Sequence, residues 1–239
     1  MNIAILGYGK MGKTIEKIAI DRGHTIVCRL DNTPKKEDLA KADCAIEFSV
    51  PEAAFANLKA CFKNAVPAVS GTTGWLDNYE EATKLCEENE TGFIYASNFS
   101  LGVNLFFHLN KQLAKMMKNF EQYNPGIEET HHTQKADKPS GTAISLAEDI
   151  MAETNLKNWK LYEKMPQKTQ ENLPVVAKRE PDVFGVHTVA YHSQLDTIEI
   201  KHEAHSREGF ALGAVIAAEY LKDKKGIYTM KDVLGLQEL

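Results

Sequence analysis

The stretch Glu129-Thr130-His131-His132-Thr133-Gln134-Lys135-Ala136-Asp137-Lys138-Pro139-Ser140-Gly141-Thr142-Ala143 concentrates more reactive side chains than any other part of this chain. Its two imidazoles can hold or give a proton near neutral pH, and its ammonium groups can pair with a carboxylate. Pro139-Ser140-Gly141-Thr142 opens a predicted helix, and the first N–H groups of a helix lack partners within it and can hold an anion. Together these groups suit a small dianionic substrate. Adjacent histidines at a strand end point to opposite faces, so His131 and His132 are not expected to share a metal, and no metal site is expected elsewhere. His187, His192, His202 and His205 have weaker cases, and His192 reads as structural.

A second constellation lies at the start. Gly7-Tyr8-Gly9-Lys10-Met11-Gly12 is G-x-G-x-x-G directly after a predicted strand and opening a predicted helix. Its glycines allow a tight turn, close approach of backbone to a pyrophosphate, and close helix-to-strand packing. Asp31 follows Gly12 by 19 residues, where a carboxylate can accept from the ribose hydroxyls of a dinucleotide. Lys10 and Lys13 can add positive charge beside the phosphates. Asp31 repels a ribose 2′-phosphate and favours NADH, but Lys35 and Lys36 can offset it, so NADPH stays open. Two further turns, Gly71-Thr72-Thr73-Gly74 and Ser97-Asn98-Phe99-Ser100, follow predicted strands, where an open α/β sheet binds its ligands.

The elements that must hold these groups follow from periodicity. Short apolar runs at 2–6, 25–30, 44–48, 65–70 and 92–96 read as buried strands, with helical patterns at 11–19, 51–63 and 79–88 between them. That is an open, doubly wound parallel sheet. The rhythm then changes: a helix over 104–120, a strand over 126–131, a helix over 142–153, β-branched alternation between 175 and 202 that suggests an antiparallel or mixed sheet, and a helix over 209–221. The polar segment 157–172, carrying Pro166, reads as a flexible excursion.

Composition sets the outer limits. The chain has 239 residues, 43% hydrophobic and 26% charged, which excludes disorder and permits one large or two modest domains. Four cysteines, Cys28, Cys44, Cys61 and Cys86, fall singly, which argues against a zinc ribbon and for reduced cytosolic thiols. No apolar run approaches the roughly 20 residues that span a bilayer, and residues 1–6 show no export signal, so a cytoplasmic protein is expected. A net charge of -5 argues against nucleic acid as a partner. Anions must therefore be held by local groups.

With these residues in view, the chain resembles the 4-hydroxy-tetrahydrodipicolinate reductase (dihydrodipicolinate reductase) family over nearly its whole length. The resemblance rests on the G-x-G-x-x-G, on Phe48-Ser49 with Pro51, on the turns at Gly71 and Ser97, and above all on His131-His132-x-x-Lys135 running to Pro139-Ser140-Gly141-Thr142-Ala143. Ser206-Arg207, Phe210-Ala211, Gly213-Ala214 and 230–234 also match. It implies a Rossmann-type dinucleotide-binding domain formed by 1–101 and 207–239, and an α+β substrate and oligomerisation domain with a mixed sheet at 102–206. It further implies a homotetramer that reduces a cyclic dicarboxylate with NADH or NADPH in lysine and diaminopimelate biosynthesis.

Family roles carried onto matching positions make His131 the proton donor and Lys135 a further donor or a positioning cation. His132, Ser140, Gly141 and Thr142 would bind substrate. Gly7, Tyr8, Gly9, Lys10, Met11, Gly12, Asp31, Gly71, Thr72, Thr73, Ser97, Asn98, Phe99 and Ser100 would bind cofactor. Three positions depart from the family pattern. Glu47 replaces Asp, Lys138 replaces Ala, and the R-x-G pattern reads Arg179-Glu180-Pro181, so contacts from that loop are not carried over. Two alternatives stand beside this reading: another Rossmann oxidoreductase of the homoserine- or aspartate-dehydrogenase kind, which would lack the histidine motif, and a catalytically silent NAD sensor, which would bind without turnover.

Overall fold

The computed structural model describes residues 1–167 and 171–236. Its chain divides into two compact units, Met1–Asn104 with Glu208–Leu239, and Leu105–Arg207.

In the first unit the strands β1 (Asn2–Leu6), β2 (Thr25–Leu30), β3 (Cys44–Glu47), β4 (Ala68–Ser70) and β5 (Gly92–Tyr95) alternate with the helices α1 (Lys10–Asp21), α2 (Lys36–Leu39), α3 (Pro51–Lys63) and α4 (Tyr79–Glu88). A sixth strand, β11 (Gly226–Tyr228), pairs parallel with β5 after α7 (Glu208–Leu221) and before α8 (Met230–Val233). The sheet is parallel throughout, in the order β11-β5-β4-β3-β1-β2. Alternation along β1 fills both faces. Ile3 and Ile5 join Ile46, Val69 and Ile94 under α1 and α7, while Ala4 and Leu6 join Ala45, Ala68 and Phe93 under α3 and α4. Strand order reverses beside β1, and ligands bind such sheets in the crevice at that point. β4 begins at Ala68 rather than at 65, because Ala65, at φ 55, still belongs to the turn that ends α3.

The second unit takes in the helix α5 (Leu101–Met117) from Leu105 onward, then β6 (Asn124–His131), α6 (Gly141–Glu153), β7 (Asn158–Tyr162), β8 (Asn172–Arg179), β9 (Gly185–His192) and β10 (Thr197–Ala204). Its sheet is mixed, in the order β10-β9-β6-β8-β7, with β9 antiparallel to both neighbours and β6, β8 and β7 parallel. One face packs on α5 and α6 through Phe106, Leu113, Leu146, Ile150, Val175 and Tyr191.

The expected flexible excursion at 157–172 is corrected here. Asn158–Tyr162 is an edge strand paired with β8, and Lys157 N–H bonds the carbonyl of Glu171. The alternation of Trp159 and Leu161 against Lys160 and Tyr162 is short and half-exposed, so it reads as polar, yet Trp159 packs on the core. Residues 168–170 of that segment lie outside the described residues. α5 starts three residues earlier than expected because the Ser100 hydroxyl accepts the Val103 N–H at 3.4 Å and so caps its first turn. Among the described residues no helix is long and apolar enough to cross a membrane. Cys44, Cys61 and Cys86 are buried free thiols, and Cys28 is half-buried.

Candidate functional site

The turn after β1 is built from glycines with different tasks. Gly7 takes φ 95, and a Cβ there would lie 2.1 Å from the Phe48 carbonyl oxygen. A Cβ on Gly12 would lie 2.2 Å from the Gly7 carbonyl oxygen, so both glycines permit contacts inside the protein. A Cβ on Gly9 would meet nothing within 4 Å. Gly9 is also the N-cap of α1, with no side-chain cap, so the first N–H groups of a twelve-residue helix face a bare backbone approach. These residues fit a pyrophosphate. Asp31 is exposed at the end of β2 and fixed by the Tyr8 N–H at 2.6 Å. The Tyr8 hydroxyl and the Arg29 guanidinium are both committed to Glu16.

Met11, Phe48, Ser49, Pro51, Gly71, Thr72, Thr73, Ser97, Phe99 and Phe210 line one cavity of about 390 Å³. Asn98 and Ser100 shape its wall: the Asn98 carboxamide accepts the Ser100 N–H at 2.9 Å, and Asn104 donates to the Asn98 carbonyl at 3.0 Å. Lys10, the first residue of α1, is exposed and makes no described contact with the cavity.

Behind the cavity lies Glu47, which is fully buried. Its carboxylate accepts from the Ser49 N–H at 3.1 Å, from the Ser49 hydroxyl, from Ser70 at 2.8 Å and from Thr72 at 3.0 Å, tying together the turns after β3 and β4. The substitution of Glu for Asp therefore lengthens the reach of a carboxylate that organises the cavity wall. Glu47→Gln, which turns one acceptor oxygen into a donor facing donors, is expected to weaken cofactor binding by roughly thirtyfold, on the scale of about 2 kcal/mol for a hydrogen bond to a charged group. Fluorescence titration with NADH checks it, and an unchanged Kd would reduce Glu47 to a core group.

In the second unit β6 delivers Glu129 and His131 to the face covered by α5 and α6, and His132 leaves the strand in the opposite sense. Strand register supplies the neighbours: His187 of β9 pairs opposite Glu129, and Arg179 of β8 lies beside His131. Glu129 is fully enclosed. Its Oε1 takes the Arg179 guanidinium at 3.3 Å, and both oxygens take the Ser140 N–H at 3.0 and 3.1 Å. Its Oε2 lies 3.4 Å from His131 Nδ1 and 3.6 Å from His187 Nε2. The Arg179 guanidinium supplies the counter-charge to this carboxylate, and the two imidazoles face its second oxygen.

Ser140, expected among the substrate ligands, is 2% exposed and committed elsewhere. Its hydroxyl accepts the Ala143 N–H at 3.2 Å as the N-cap of α6 and meets His187 Nε2 at 3.1 Å. Gly141 and Thr142 then occupy the first two helical positions, whose N–H groups have no acceptor within the helix. Lys135 is half-buried, with Nζ 2.8 Å from Asp137 Oδ1. Arg179, which the broken R-x-G pattern left unassigned, also donates to the carbonyls of Lys135 and Asp137 and so fixes this loop. His132 is half-buried, and its Nδ1 is enclosed without a hydrogen-bond partner among the described residues.

Burial lowers the pKa of His131 to about 4; Glu129 opposes that shift, while His187, Lys135 and Arg179 add to it. The pKa of Glu129 is lowered as well, against its own burial. Burial alone would raise it, but the bonds from His187 and Ser140 and the charge of His131 bring it to about 2. At neutral pH the carboxylate is ionised and His131 is neutral. Both shifts make the unfolded chain bind protons more readily than the folded one. The stability due to His131 is therefore present above its ordinary value of 6.5 and lost as pH falls toward 4; that due to Glu129 is lost from 4.5 toward 2. Thermal melts from pH 7 to 4 are expected to show a falling midpoint, and His131→Gln should flatten that fall. An identical slope in the variant would remove His131 as its source.

The N-terminal domain model of dihydrodipicolinate reductase matches residues 1–99, and the C-terminal domain model matches residues 102–234. The chain belongs to the dihydrodipicolinate reductase family. Its curated relatives include the 4-hydroxy-tetrahydrodipicolinate reductase of Christiangramia forsetii, 58% identical over 238 residues that cover 98% of each chain. The enzyme of that name from Methanocaldococcus jannaschii is 34% identical, with 100% of this chain and 99% of the relative covered. A dipicolinate-bound dihydrodipicolinate reductase from Paenisporosarcina sp. TG-14 shares the fold at a TM-score of 0.77, with 23% identity, covering 96% of this chain and 97% of that one. As a dihydrodipicolinate reductase family member the chain is an oxidoreductase with a Rossmann-type sheet and a second, mixed sheet. The family assignment removes the homoserine-dehydrogenase reading, which lacked the histidine motif.

Proposed function

We propose that the protein reduces 4-hydroxy-tetrahydrodipicolinate to tetrahydrodipicolinate with NAD(P)H and loss of water, in lysine and diaminopimelate biosynthesis. The observation that carries this is the coincidence, in a member of this family, of a glycine turn that fits a dinucleotide with the His131–Lys135–Gly141 anion and proton site. Bound nicotinamide supplies the hydride. The residues of this chain do the rest: Gly7, Gly9 and Gly12 with the first N–H groups of α1 hold the pyrophosphate, and Asp31 takes the adenosine ribose. The turns of Gly71–Thr73 and Ser97–Ser100 hold the nicotinamide end. The N–H groups of Gly141 and Thr142, with Lys135 and His132, take the substrate carboxylates, and His131 gives the proton.

The exposed Asp31, with Arg29 tied up by Glu16, supports NADH over NADPH. The open face of the mixed sheet, where Gly126, Glu128, Thr188 and Ala190 border a hollow of about 460 Å³, offers the surface for assembly into a homotetramer, and a cytoplasmic location follows from the pathway. The decisive experiment makes the substrate in place with the preceding synthase and follows nicotinamide absorbance with NADH and NADPH in parallel. Oxidation of NADH at the greater rate is expected. No oxidation of either cofactor would sink the assignment.

A further inference from the structure

Glu129 is enclosed at 0% exposure in the middle of the second unit, and the roles assigned so far leave its charge without a task. A carboxylate is costly to bury, and this one is supplied with an unusual set of supports: a guanidinium on Oε1, the Ser140 N–H on both oxygens, and two imidazole nitrogens near Oε2. Of the two nitrogens of His131, Nδ1 is enclosed and has Glu129 Oε2 as its facing acceptor at 3.4 Å. That separation is long for a resting hydrogen bond, and catalytic contacts commonly tighten when substrate binds. The other nitrogen meets the start of β9, where a Cβ on Gly185 would come within 3.1 Å of Nε2 and 3.3 Å of Cδ2. The absent side chain leaves that nitrogen clear.

We propose that Glu129 is the positioning residue of the proton donor: it takes the Nδ1–H of His131 and sets Nε2, in the clearance left by Gly185, as the atom that gives the proton. This rests on the reading of His131 as that donor. The neutral ring, protonated on Nδ1, takes a proton from solvent on Nε2; that Nε2–H bond then breaks as the proton passes to substrate, and the ring returns to its neutral Nδ1–H form. Arg179, Ser140 and His187 hold the carboxylate in place, so an imidazole fixed from behind turns over without searching for its tautomer. The charged and titratable groups around the ring are Glu129 on its own strand, His187 on β9, Arg179 on β8 and Lys135 on the loop before α6.

In Glu129→Gln, kcat is expected to fall about 10- to 100-fold with KM for both substrates within about twofold. Glu129 favours the charged imidazole, so its loss should also move the alkaline fall of kcat to lower pH. Gly185→Ala, which crowds Nε2 without touching the carboxylate, should lower kcat while KM for NADH holds. In the wild-type enzyme labelled with 15N-histidine, His131 at pH 7 should carry its proton on Nδ1. A proton on Nε2 there overturns the proposal, whether or not Glu129→Gln folds. So does a folded Glu129→Gln with wild-type kcat and pH profile, provided His131→Ala is inactive. If His131→Ala itself keeps full kcat, the proton-donor reading falls instead.

Discussion

Replacing His131 by alanine is expected to lower kcat by about 10²- to 10⁴-fold, the usual worth of general acid catalysis, while leaving the Kd for NADH unchanged. The separation of effects follows from the architecture. The groups assigned to the dinucleotide belong to the parallel sheet of the first unit, whereas His131 ends β6 in the second. The imidazole is nearly enclosed, at 7% exposure, so alanine also leaves a void lined by Glu129 and His187. Some loss of thermal stability should accompany the loss of rate. Stopped-flow hydride transfer measured beside NADH titration separates the two: a fall in kcat with an unchanged Kd supports the assignment, and an unchanged kcat removes His131 from the chemistry.

A second large effect is expected at Gly213. A Cβ at this position of α7 would come 1.7 Å from the carbonyl oxygen of Phe99, a backbone atom that no rotamer change can move aside. Either α7 lifts from the sheet or the turn of Ser97–Ser100 is displaced, and both damage the same region. Gly213→Ala should destabilise the protein by about 3 kcal/mol, at the upper end of overpacking costs, and weaken NADH binding with it. Gly9→Ala is the informative contrast. Its Cβ meets no protein atom within 4 Å, so the melting temperature should stay near that of the wild type while NADH binding weakens, because the methyl occupies the approach of the pyrophosphate. A Gly9→Ala protein that binds NADH normally would move the phosphate away from this turn.

How far the sequence carried the structure depended on the range of the interactions involved. β1, β2, α3 and α4 were legible to the residue, because alternation, Pro51 at a helix start and Gly23 after a helix end are local signals. The histidine motif was legible as chemistry for the same reason. β11 was not: three residues after a turn carry no periodicity, and the strand exists because β5 offers it an edge. β7 reads as part of a polar, flexible excursion because Trp159 is its one residue packed on the core, while Leu161 is exposed. In the site, His187, Arg179 and Glu129 were missed as partners because strand register, not spacing, brings them together. The one signal available was that Glu129 shares the inward phase of β6 with Ile127 and His131, and a charge in that phase demands a counter-charge from a neighbouring strand.

α7 reaches the first sheet only after the whole second unit has been made. During synthesis the 103 residues from Leu105 to Arg207 take roughly 5–20 s to appear at about 5–20 residues per second. Until α7 arrives, Ile46, Val69 and Ile94 have no Ala214, Val215, Ala218 or Leu221 to cover them. The nascent first hundred residues thus wait with an oily sheet face open and an unpaired β5 edge, a standing invitation to chaperones and to sticking between neighbouring ribosomes. The inserted unit, whose contacts are continuous in sequence, is free to fold first. The helix and strand that complete the first sheet are thus delivered only after every strand of the second has left the ribosome.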